Sequence, residues 1–179
     1  ALDRPSAPLN LKCEYRNNPM GIEEPNPHLF WQISDSRRGA VQSAYRVMVA
    51  SSPELLSEGR PDIWDSGKTE SDRSVHVEFG AAALESRARC YWQVKTWDDD
   101  DQSSPFSEIA SWEMGLLSQD DWSAKWIAMV EGSDREPGPV HYLRSEFTVD
   151  KPVARARLYA TALGVYDVSI GGDHVGDHL

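Results

Sequence analysis

Cys90–Asp98 reads CYWQVKTWD, with Cys90, Trp92, Val94 and Thr96 alternating against Tyr91, Gln93, Lys95 and Trp97. A period of two sends one set toward a core and the other outward, so this stretch is a strand with one buried face. Gln42–Ser52 (QSAYRVMVASS) repeats the pattern, with Tyr45, Val47 and Val49 alternating against Arg46 and Met48. Asp62–Gly67 (DIWDSG) ends in a turn, and Trp112–Leu117 (WEMGLL) closes another strand pattern. Working outward, strands are expected near 9–15, 28–34, 43–51, 73–79, 89–98 and 106–114. Such spacing, with turn residues between, is the rhythm of an antiparallel sandwich. No stretch predicts an amphipathic helix longer than two turns.

The connections carry their own chemistry. Asn17-Asn18-Pro19-Met20-Gly21, Pro25-Asn26-Pro27, Asp65-Ser66-Gly67 and 98–105 hold residues whose backbone angles a continuing strand cannot adopt. From Gly115 the pattern changes, and Ser118 is placed to cap a short helical turn. A Gly/Pro/charge-rich loop follows at Glu131–Pro139, then strand patterns over 142–149, 154–161 and 164–170. Tyr166, Val168 and Ile170 alternate there, and Gly171-Gly172 offers a primed two-residue turn into 173–179. The expected organisation is therefore all-β, with one sandwich domain over 1–117, then a linker and an incomplete second β-sandwich over 118–179. So few strands seldom bury enough surface to stand alone, and a longer protein is expected to continue past Leu179.

Composition bounds the partners. The 179 residues are 26% charged and 40% hydrophobic, as in folded proteins, and carry a formal net charge of -11. That charge repels phosphate backbones and anionic headgroups, so neither nucleic acid nor membrane is an expected partner, whereas a neutral sugar is not penalised. No apolar run is long enough to cross a bilayer, and the first residues lack the layout of a secretion signal. Cytoplasmic, periplasmic and secreted locations all stay open. Two cysteines, Cys13 and Cys90, are too few for a disulfide framework and are read as buried free thiols.

Each tempting cluster has a plainer reading. Asp98-Asp99-Asp100-Asp101 could offer oxygen ligands to Ca²⁺, but an EF-hand loop needs Gly sixth and Glu twelfth, where Ser103 and Ile109 stand. A solvated hairpin tip is expected instead. His174 and His178, with Asp173 and Asp177, have metal-ligand spacing only on a helix, and the alternation argues strand. Glu23-Glu24, Asp120-Asp121 and Glu131 lie in loops with no framework to hold a catalytic pair. Nucleophile-elbow, phosphate-loop and dinucleotide signatures are missing. Of the seven tryptophans, Trp31, Trp92 and Trp112 are expected in the core, leaving Trp97, Trp122 and Trp126 as surface or interdomain aromatics. No catalytic, cofactor-binding or metal-binding residue is assigned.

The first domain resembles a fibronectin type III-like sandwich, with Trp31 on its second strand. Such a fold commonly places Tyr six residues after a Leu like Leu84, but here Cys90 takes that place and Tyr91 follows. More specifically, the chain is similar to the N-terminal region of bacterial α-L-rhamnosidases of glycoside hydrolase family seventy-eight. The resemblance rests on Asn18-Pro19-Met20-Gly21-Ile22, Gln42–Arg46, Asp62–Gly67, Tyr91-Trp92-Gln93-Val94 and Met114–Leu117, with Trp122 and Trp126-Ile127 following. It continues through Leu143–Phe147, Ala156–Thr161, Gly164-Val165-Tyr166 and Val175-Gly176-Asp177.

That resemblance implies a fibronectin-like domain, the opening strands of a jelly-roll-like β-sandwich that in some members binds rhamnose with calcium, and a helical barrel with an inverting pair of glutamates lying outside this chain. It implies the barrel as partner, calcium only in a complete second domain, and no cofactor in this portion. The expected function is the non-catalytic N-terminal portion of an α-L-rhamnosidase. The alternative is a stand-alone fibronectin type III-like adhesion or protein-binding module.

Overall fold

The computed structural model describes residues 4–35, 37–128 and 141–176. The strands are β1 (Leu9–Cys13), β2 (Met20–Ile22), β3 (His28–Gln32), β4 (Ala44–Ala50), β5 (Trp64–Asp65), β6 (Thr69–Glu70), β7 (Val77–Glu78), β8 (Arg89–Trp97), β9 (Ala110–Met114), β10 (Ser169–Ile170) and β11 (Asp173–His174). A short helix, α1 (Pro53–Ser57), follows β4. Contacts divide the chain into two units, Ala1–Trp126 and Ile127–Leu179.

In the first unit, β1, β3 and β7 form one antiparallel sheet. The other runs β2-β9-β8-β4-β5, with β6 also on β4. The two inner faces meet in one apolar core that includes Cys13, Leu29, Trp31 and Val77 from the first sheet and Val47, Val49, Cys90, Trp92, Val94 and Trp112 from the second. This is the expected all-β sandwich. The longest pairing joins the two stretches read first, from Ala44 opposite Trp97 to Ala50 opposite Tyr91.

The three short strands β2, β5 and β6 were not legible in the sequence. β2 runs parallel to β9, with Met20 opposite Glu113 and Ile22 opposite Met114. Strands this short have no period to read and are defined by the partner they meet. Helix α1 also changes the reading of β4. Its Leu56 packs with Met48 and Ala50 on the outer side of the sheet, so β4 is buried on both faces near its end.

Asp98 corrects the expectation of a solvated acidic tip, because its side chain is only 3% exposed. Arg37 Nη1 donates to Asp98 Oδ2 at 2.8 Å, while the amides of Asp100 and Gln102 donate to Oδ1 at 3.1 and 2.8 Å. The first Asp of the run is thus the staple of the turn. Asp101 is paired with Lys68 at 2.5 Å.

In the second unit, only β10 and β11 pair among the described residues, with Ser169 opposite His174. Gly171 and Gly172 have φ of 64° and 95°, the primed turn expected there. The patterns over 142–149 and 154–161 carry no ladder, and Tyr142, Leu163 and Val165 are almost wholly exposed. Alternation in sequence makes a strand only where another backbone answers its N–H and C=O groups. Glu131, Asp177 and His178 lie outside the described residues. His174 pairs with Asp167 at 2.7 Å.

Candidate functional site

Most of the sequence blocks that look distinctive prove to be clamps. Gln42, buried, accepts from Trp31 Nε1 at 2.9 Å and donates through Nε2 to the carbonyls of Ser71 and Arg73 at 3.0 and 2.8 Å. In DIWDSG, Asp62 accepts from the Ser51 amide and hydroxyl at 2.8 and 2.6 Å, and Asp65 takes Arg46 bidentately at 2.8 and 2.5 Å. Those Arg46 hydrogen bonds hold the Asp65 carboxyl below the usual carboxylate range. Asn18 Oδ1 accepts from Ser111 N at 2.8 Å, and Gly115 N donates to the Ile22 carbonyl at 2.7 Å. Asn18–Ile22 thereby seats β2 on β9.

The connector is also anchored. Ser118 and Asp121 form a capping box around the 3₁₀ turn Gln119–Asp121, and Ser86 Oγ donates to Asp121 at 2.5 Å. The Asp121 carboxylate thus holds the connector, accepting from Ser86 and the Ser118 amide, while Asp120 contributes its backbone N–H, donated to Ser118 Oγ at 3.2 Å. Trp31, Trp92 and Trp112 are buried as expected, Trp97 and Trp122 are half-buried, and Trp126 is 70% exposed. The Trp97 face is occupied, since Lys95 and Lys68 ammonium groups sit 4.7 and 5.4 Å from its centroid. Both thiols are buried and free, and burial pushes Cys90 up to about 12. Among the described residues no group of three or more His, Cys, Asp or Glu is arranged to hold a metal, and no helix is long and apolar enough to cross a membrane.

One cluster is not explained by the core. On β3, Leu29 and Trp31 face inward, so His28 and Phe30 point to the outside of the three-stranded sheet. Phe30 is nonetheless 8% exposed, because Tyr15 and His76 lie on it with centroids 4.5 and 4.9 Å away. Tyr15 Oη meets His76 Nε2, and the His28 and His76 rings stand edge to face at 5.9 Å. Glu14 Oε1 accepts from His28 N at 2.7 Å and lies 3.0 Å from His28 Nδ1. A carboxylate partner at this distance takes its hydrogen bond from a proton on Nδ1.

The backbone beneath is unusual. Cys13 and Arg16 exchange both hydrogen bonds at 3.0 Å around Glu14-Tyr15, whose φ values are 46° and 64°. This is a two-residue turn with both central residues left-handed, a geometry that favours Asn-Gly. His76 is left-handed as well, at 51°. No expectation from the sequence named Glu14, Tyr15, His28, Phe30 or His76. The period-two pairing of His28 with Phe30 was readable, but the β1–β3–β7 register that brings Tyr15 and His76 over Phe30 was not.

Comparison with known proteins places the chain in a family. Residues 8–118 match the family described as a Rha78A-like, N-terminal immunoglobulin domain, and residues 151–179 match an alpha-L-rhamnosidase N-terminal domain. An alpha-L-rhamnosidase of Formosa agariphila is 41% identical over 169 residues, which is 90% of this chain and 18% of that protein. The alpha-L-rhamnosidase structure from Dictyoglumus thermophilum superposes with a TM-score of 0.68 at 38% identity, covering 70% of this chain and 14% of that one. The Streptomyces avermitilis enzyme, solved in complex with L-rhamnose, gives a TM-score of 0.65 at 42% identity over 68% of this chain and 12% of its own. The chain spans 18–20% of the length of the curated relatives it matches. With its immunoglobulin-like sandwich followed by a match to the alpha-L-rhamnosidase N-terminal domain, the chain belongs to the Rha78A-like N-terminal immunoglobulin domain family of α-L-rhamnosidases.

Proposed function

We propose that this chain is the non-catalytic N-terminal portion of an α-L-rhamnosidase whose whole protein hydrolyses terminal α-L-rhamnose from glycosides or polysaccharides. Its own role is to support the enzyme's architecture and position carbohydrate. The observation that carries this reading is the order of the two family matches, joined to relatives that align with 90–100% of the chain but give it only a fifth of their length. Inverting glycoside hydrolysis needs an acid and a base carboxyl held across a sugar. The distinctive carboxylates here are committed elsewhere: Asp62, Asp65, Asp98 and Asp121 tie down backbone and partner side chains. In this reading the catalytic pair comes from a helical barrel in the remaining protein, and calcium belongs to a completed second domain.

The test is turnover of an aryl α-L-rhamnoside. The 179-residue chain alone is expected to release no chromophore, while the product of the whole gene releases it steadily. Hydrolysis by the chain alone that disappears on changing one of its carboxylates would overturn the reading, and so would a whole gene product inert toward every rhamnoside.

A further inference from the structure

The Glu14-Tyr15 turn does not use the residues its backbone prefers. Non-glycine residues in such positions are strained and persist where the surroundings fix them, commonly at ligand clamps. Here three left-handed residues, Glu14, Tyr15 and His76, converge on one surface cluster. Their side chains give it a defined form. Tyr15 rests on Phe30, has its hydroxyl tied to His76 and remains 62% exposed. His76 stands edge to face on Tyr15, His28 stands edge to face on His76, and Glu14 holds the His28 ring, so that the tyrosine is continued by two imidazoles and a carboxylate in sequence.

A rigid, exposed π face attracts the C–H-rich face of a sugar, and groups at its rim that accept or donate match hydroxyls. The Glu14 carboxylate and the net charge of -11 disfavour an anionic occupant. We propose that Tyr15, with Glu14, His28 and His76 at its rim, is a binding site for a neutral pyranose stacked on the exposed ring. The site deepens the carbohydrate-positioning part of the proposed function and rests on it.

Nuclear magnetic resonance titration of the 179-residue chain with methyl α-L-rhamnopyranoside, and separately with methyl α-D-glucopyranoside, tests this. At least one glycoside is expected to give saturable shifts of the Tyr15 ring and the His28 and His76 imidazoles. Tyr15→Phe should keep that affinity within about threefold, whereas Tyr15→Ala and Tyr15→Leu should weaken it about tenfold or more. Tyr15→Leu still covers Phe30, so it separates the loss of a π face from loss of fold. Amide shifts across β4 and β8 report that the sandwich is intact. Strictly linear shifts for both glycosides, or saturable shifts unchanged in Tyr15→Leu, would overturn the site. Rhamnoside hydrolysis by the whole gene product is read independently of these shifts, so either idea can fail while the other stands.

Discussion

At the residue scale, burial and partner decide what each polar group contributes. Gln42 is the clearest case, with both ends of its amide used inside the sandwich. Gln42→Ala would leave the buried Trp31 Nε1 and two carbonyls without their partner, at a cost of about 2–3 kcal/mol. Urea denaturation should show a lower midpoint at unchanged slope, and a midpoint equal to wild type would contradict the assignment. The cysteines are governed by the same physics in reverse. Burial is the main cause that raises both thiols, and it leaves little thiolate at neutral pH. A thiol reagent at about pH 8 should therefore find two slow groups that become fast in denaturant. Rapid modification of the folded chain would show that one sulfur is open to solvent.

At the element scale, the central pair β4–β8 organises the domain, and α1 closes the outer side of it. Leu56 is that helix's buried side chain, packed on Met48 and Ala50. Leu56→Ala removes all of the side chain beyond Cβ from a filled site and is expected to cost about 2–5 kcal/mol. The loss should appear in the one cooperative transition of the sandwich, followed by far-ultraviolet circular dichroism in urea. A change below about 0.5 kcal/mol would mean that α1 is not docked as described. β2 makes the complementary point. Its parallel place beside β9 depends on the left-handed Asn18 and on the Glu113 and Gly115 amides that donate to the Pro19 and Ile22 carbonyls, so its position is set by contacts far apart in sequence.

At the scale of the whole molecule, acid should undo the network of buried and half-buried carboxylates. Hydrogen bonds from Arg37 lower Asp35, those from Arg46 lower Asp65, and that from Ser86 lowers Asp121. Burial works against the Asp98 charge, but Arg37 and the amides of Gln102 and Asp100 outweigh it. Because these folded values lie below the ordinary 3.8, their stabilisation is complete above that pH and is lost as the pH falls through them. Thermal midpoints should be level from about pH 7 to 5 and fall below about 4; a decline confined to the upper range would be the contrary result. Hydrogen exchange should also divide the chain, with Ala44–Ala50 and Arg89–Trp97 slow and 142–168 fast, since the latter carry no ladder and are largely exposed. Equal protection would show that those residues are already paired. Sequence by itself determined the all-β class, the inner faces of β4 and β8, the buried Trp31, Trp92 and Trp112, and the Gly171-Gly172 turn. Those features follow from a period of two and from local backbone preference. Only the tertiary structure decided that Asp98 is buried under Arg37, that β2 runs parallel to β9, and that Tyr15 and His76 close over Phe30. Each depends on partners dozens of residues away, whose register no local pattern encodes.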